Sequence, residues 1–128
     1  MTLQIEQLSP NIGALIKGFD FSQPMTDETK QQITDALLQH QVIFFRDQPI
    51  TPTQQVDFAK QFGTLHIHPI FPHAEEAREI VVLDNHQLDL TDNSIWHTDV
   101  TFIEKPPLGS ILAAKKVPSI GGDTTWSS

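Results

Sequence analysis

The chain changes character at Leu65, and this change limits the folds open to it. Before Leu65, strand-like runs alternate with two segments that carry explicit helix signals; after it come prolines, histidines and short apolar runs without a helical period. Helices gathered ahead of a series of short strands indicate an α+β fold, with the strands in a sandwich or jelly roll. At 128 residues the chain suffices for one domain or part of one.

The first half resolves into elements. Leu3–Leu8 alternates apolar and polar residues, as a half-buried strand does, and Ile12–Lys17 reads as a second strand between Gly13 and Gly18, with Pro10-Asn11 as the turn. Thr26 is placed to cap a helix whose first turn holds Asp27 and Glu28, where the helix dipole favours acids; Ile33, Ala36 and Leu37 form its apolar stripe, predicting a helix over 27–40. Val42–Phe45 is a continuous apolar run of strand length, expected to be buried. Thr51, Pro52 and Gln54 form a capping box with proline at the first helical position. Val56, Ala59 and Phe62 give that helix its buried face, Phe58 packs on Phe62, and Gly63 is expected to end it. Neither helix carries a candidate catalytic residue. Beyond Leu65, strands are expected at Glu79–Leu83, Leu108–Ala114 and Asp123–Ser127, with a polar linker over Asp84–Ser94.

Composition excludes several classes. The formal net charge of −8 and the dispersed basic residues, of which only Lys115 and Lys116 are adjacent, leave nothing to neutralise a row of phosphates, so nucleic acid is not an expected partner. The absence of cysteine removes disulfides, thiolate nucleophiles and Cys-ligated metals. No signal peptide and no bilayer-length apolar run is visible, so a cytoplasmic protein without a membrane partner is expected.

The chemistry concentrates at Trp96-His97-Thr98-Asp99. In an extended segment His97 and Asp99 project from one face with Cα atoms about 6.6–7 Å apart, close enough to converge on a divalent metal. With one further histidine they make the two-His-one-carboxylate triad of non-haem iron oxygenases. The alternative is a histidine and an aspartate bonding each other on a half-exposed strand. Gly121-Gly122-Asp123-Thr124 can equally be a hairpin turn. His66 and His68, with His73 downstream, spell a second possible metal site, although strand-spaced imidazoles without an acid partner are common on surfaces. His40 and His86 read as structural or solvated.

Five stretches carry a family resemblance: IGALIKG (12–18), HQVIFFRDQPITP (40–52), FGTLHIHPIFPHAE (62–75), WHTDVTFIEKPP (96–107) and ILAAKKVPSIGGDTTWSS (111–128). Together they resemble the N-terminal part of the taurine dioxygenase family, Fe(II)- and α-ketoglutarate-dependent dioxygenases that also include chlorophenoxyacetate dioxygenases and alkylsulfatases. The resemblance implies a double-stranded β-helix (jelly roll) with flanking helices. It further implies Fe(II), α-ketoglutarate and O2 as cofactors, and hydroxylation of taurine beside its sulfonate with release of sulfite, aminoacetaldehyde, succinate and CO2. His97 and Asp99 would be iron ligands, and Thr124 would bond a carboxylate of α-ketoglutarate. His68 would donate to the sulfonate, with Asn93 beside it and Phe71 as an aromatic wall. Taurine-type members carry tyrosine at the Phe71 position, so one hydrogen bond to the substrate is lost here, leaving an alkyl sulfate or aryloxyacetate as the alternative substrate. The family's distal histidine and its substrate and cosubstrate arginines fall beyond the equivalent of Ser128, and no His or Arg follows Asp99. Residues 1–128 are therefore expected to be the N-terminal part of a single dioxygenase domain, truncated before the last strands and inactive alone, from a protein that forms homo-oligomers. A non-catalytic role in binding or assembly is the remaining alternative.

Overall fold

The computed structural model describes residues 2–67, 72–84 and 95–128. The chain divides into two compact units, residues 1–50 with 113–128, and residues 51–112. Strands and helices are mixed, in keeping with the α+β reading.

In the first unit β1 (Gln4–Gln7) and β2 (Ala14–Lys17) are antiparallel, with Gln4 opposite Lys17 and Gln7 opposite Ala14. The turn between them is closed by Leu8 N–H donating to the Gly13 carbonyl and by Ser9 bonding Ile12. Gly13 is at φ 97°, a region open to glycine, and a Cβ there would lie 3.7 Å from the Phe44 ring. β3 (Ile43–Phe44) runs parallel to β2, giving the order β1-β2-β3. The parallel pair requires a crossover, which α1 (Asp27–His40) supplies.

The expected boundaries of α1 match those observed. Thr26 Oγ1 accepts from Thr29 N–H at 3.1 Å, and the buried stripe contains Ile33 and Ala36, 1% and 2% exposed. With Ile16 and Ala14 from β2 these residues form the core of the unit. His40 is buried at the end of α1, and its carbonyl accepts from Gly13 and Val42 N–H, so its role is structural. The run Val42–Phe45 gives only a two-residue, half-buried strand; Phe45 turns instead into a mutually edge-on trio with Phe19 and Phe21.

In the second unit α2 (Pro52–Lys60) begins at the expected capping box: Gln54 N–H donates to Thr51 Oγ1 at 3.1 Å and Thr51 N–H to Gln54 Oε1 at 2.9 Å. Such a cap is worth about 0.5–2 kcal/mol. The helix stops at Lys60 with Gln61 as C-cap, ahead of Gly63. The Phe58 and Phe62 rings pack with centroids 5.2 Å apart and a tilt of 52°, as expected. α2 packs on β5 (Ala77–Val81), which pairs antiparallel with β4 (His73–Ala74).

Two expected strands are absent. Leu108–Ala114 and Asp123–Ser127 have no regular secondary structure, because β structure requires a partner ladder and these backbones pair with none among the described residues. Residues 95–128 contain no buried side chain, and Trp96, Phe102, Leu108, Val117 and Ile120 are all exposed. No helix of the described residues is long and apolar enough to cross a membrane.

Candidate metal centre

His97 and Asp99 do not sit on a strand; the chain bends at Asp99. Val100 follows at φ 53°, an unusual conformation for a β-branched residue, and the Thr98 and Thr101 hydroxyls bond across the bend. The two side chains nevertheless converge, with His97 Nε2 and Asp99 Oδ1 3.5 Å apart. Convergence arises from the bend and the rotamers rather than from strand pleating.

The imidazole is oriented by its other nitrogen. Nδ1 lies 2.8 Å from the Ile95 carbonyl oxygen. A carbonyl only accepts, so Nδ1 carries the proton, and in the neutral ring Nε2 presents its lone pair. That lone pair and Asp99 Oδ1 then face each other, a donor arrangement that one divalent cation can bridge. Two donors about 2.1 Å from one metal at a right angle stand about 3 Å apart, so a small closing movement suffices. Both side chains are about half exposed, 48% and 55%, leaving the pair open to further ligands. The donor set fits iron: imidazole and carboxylate, with open positions.

The second carboxylate oxygen is also engaged, since Ser110 Oγ donates to Asp99 Oδ2 at 3.0 Å. This bond was not visible in the sequence, because no spacing rule links a serine to an aspartate 11 residues away.

Thr124 belongs to the other unit. It is exposed and follows Gly121 and Gly122 at φ 77° and 71°, so the glycines do turn the backbone sharply, although no strands flank them as a hairpin would need. The turn is tied down by Trp126 packing on Phe44 and by Lys115 donating to the Ile50 carbonyl.

His68, Phe71 and Asn93, expected at the substrate, lie outside the described residues, as does His86. No group of three metal-ligating side chains occurs among the described residues, so a third ligand to His97 and Asp99 is not found there, nor is a second metal site. His73, on β4, has a buried Nδ1 without a hydrogen-bond partner among the described residues.

Residues 4–128 match the family described as taurine catabolism dioxygenase TauD, TfdA family. An alkylsulfatase of Acinetobacter baylyi is 44% identical over 98% of this chain and 39% of its own length. An α-ketoglutarate-dependent sulfate ester dioxygenase of Pseudomonas putida is 38% identical over 99% of this chain and 42% of its own. A taurine dioxygenase from Burkholderia xenovorans, known from its crystal structure, aligns with a TM-score of 0.66 at 38% identity, covering 77% of this chain and 35% of that one. The chain spans 39% and 42% of the two curated relatives. From the match over residues 4–128, this chain belongs to the TauD/TfdA family of taurine catabolism dioxygenases.

Proposed function

We propose that these residues are the N-terminal part of an Fe(II)- and α-ketoglutarate-dependent dioxygenase that hydroxylates the carbon bearing a sulfur oxyanion, in taurine or in an alkyl sulfate. The observation that carries this reading is the facing pair of His97 Nε2 and Asp99 Oδ1, each held by a second bond through its other donor or acceptor atom. Family membership supplies the cofactors that suit it.

His97 and Asp99 would provide two protein ligands to iron, and the family's distal histidine, which falls beyond the equivalent of Ser128, the third. When bound, iron with α-ketoglutarate and O2 supplies the C–H oxidation, and the cosubstrate leaves as succinate and CO2. Thr124 would donate its hydroxyl to a cosubstrate carboxylate. His68 would donate to the sulfur oxyanion, Asn93 would be a neighbouring polar contact in the same pocket, and the Phe71 ring would wall it. The complete fold would be a double-stranded β-helix, and its remaining strands would cover the apolar side chains exposed on 95–128.

The sulfate ester reading has its own support, in the 44% and 38% identity to proteins described by that chemistry, and Phe71 offers no hydroxyl to a sulfonate. Hydroxylating taurine yields sulfite and aminoacetaldehyde, whereas hydroxylating an alkyl sulfate yields sulfate and an aldehyde. Assaying the whole protein for both anions separates the two. Anaerobic addition of Fe(II) and α-ketoglutarate should produce a visible absorbance band that Asp99→Ala abolishes; a variant that keeps the band and its turnover would remove Asp99 from the ligand set.

A further inference from the structure

Ser110 is an exposed serine in a stretch without regular secondary structure, and its hydroxyl reaches back 11 residues to Asp99. We propose that Ser110 is a positioning residue for the metal centre, engaging one oxygen of Asp99 and so holding the carboxylate with its other oxygen facing His97 Nε2. The inference rests on the metal-ligand reading of His97 and Asp99 and adds to it a residue that the ligand motif does not contain.

A carboxylate has two chemically equal oxygens and a freely turning terminal torsion, so an unrestrained aspartate spends its time among several orientations. Here Oδ2 accepts from Ser110 Oγ at 3.0 Å, leaving Oδ1 3.5 Å from Nε2. The hydroxyl is itself anchored. Gln55, on the capped helix α2, donates through Nε2 to the carbonyl of Ile111, the next residue, at 3.1 Å. A chain of contacts thus runs from α2 through Gln55, the Ile111 backbone and Ser110 to Asp99. The imidazole has an equivalent restraint in its Nδ1 bond to the Ile95 carbonyl. Each donor is therefore fixed by one bond on the side away from the other, as outer-shell partners of metal ligands are arranged.

The test is Mn(II) binding to the complete protein without substrate, by calorimetry and by the loss of free Mn(II) EPR signal. Ser110→Ala should weaken Mn(II) about 10–100-fold, the usual effect of losing such a partner, with circular dichroism unchanged. Ser110→Thr keeps the hydroxyl and should restore affinity to within a few-fold. Gln55→Ala should weaken binding less than Ser110→Ala. Affinity within a few-fold of wild type in Ser110→Ala, or loss that Thr fails to rescue, overturns the positioning role. His97→Ala and Asp99→Ala keep the two questions apart. If both abolish Mn(II) binding while Ser110→Ala does not, only the positioning role is lost; if neither affects it, the metal-centre reading itself fails and this inference with it.

Discussion

Trp126 stands edge-on to Phe44, with ring centroids 5.3 Å apart and an interplanar angle of 79°. This pair joins residues near Ser128 to the parallel strand β3 and thereby ties down the segment that carries Gly121, Gly122 and Thr124. Arg46 lies over the same Phe44 ring, 5.7 Å from its centroid. Edge-on aromatic pairs contribute about 0.5–1.5 kcal/mol beyond their buried area. A double-mutant cycle of Phe44→Leu and Trp126→Leu in denaturant unfolding should give a coupling energy in that range, the Arg46 contact cancelling in the cycle. A coupling near zero would mean that the rings do not meet in solution.

Gly122 adopts φ 71°, and a Cβ there would lie 3.2 Å from Pro118 Cγ. Gly122→Ala combines a left-handed alanine with a tight contact and should cost about 1–2 kcal/mol. If this turn presents Thr124 to the cosubstrate, α-ketoglutarate affinity should fall as well. Equilibrium unfolding and α-ketoglutarate titration read the two effects separately, and unchanged affinity would separate the turn from cosubstrate binding.

Val100 holds φ 53° immediately after Asp99. A β-branched residue in this region stores about 1–3 kcal/mol of strain. Val100→Gly should release it, so stability should change by less than about 1 kcal/mol despite the lost side chain and the added chain entropy. A loss well above 1 kcal/mol in thermal unfolding would show that no strain was stored.

Asp20 accepts from Ser22 Oγ at 2.7 Å and from Ser22 N–H at 2.8 Å, and these bonds, the hydroxyl's first, hold its pKa below the ordinary 3.8. With the folded value below the unfolded one, the contribution is fully present above pH 3.8 and fades as pH falls through the folded value. A carboxyl NMR titration should place the midpoint below 3.8, and Ser22→Ala should raise it. A midpoint at 3.8 or higher in the wild-type protein would mean that the turn is open in solution.

The elements legible in advance were those with local causes. The span of α1 follows from Thr26, the first-turn acids and the Ile33–Ala36 stripe, and the start of α2 from Thr51, Pro52 and Gln54; each signal acts within one or two helical turns. The β1–β2 hairpin is similarly local, with its turn at Ser9–Ile12. Leu108–Ala114 and Asp123–Ser127 misled because a strand-prone run specifies only a capacity to pair, and pairing depends on a ladder from elsewhere.

The same division holds at the candidate site. Sequence alone marked His97, Asp99 and the Gly121–Gly122 turn, since a His-x-Asp pair and a left-handed glycine backbone are properties of a few adjacent residues. The local backbone, not the residue pattern, decided that His97 and Asp99 meet across a bend rather than along a strand, and that the Ile95 carbonyl orients the imidazole. Tertiary structure decided that Ser110 holds the far oxygen of Asp99 and that Trp126 anchors the Thr124 segment on Phe44. Ser110 and Trp126 act through a hydrogen bond and a ring contact made far along the chain. Such contacts exist only after the backbone has closed the intervening loop, and no local pattern of residues records that closure.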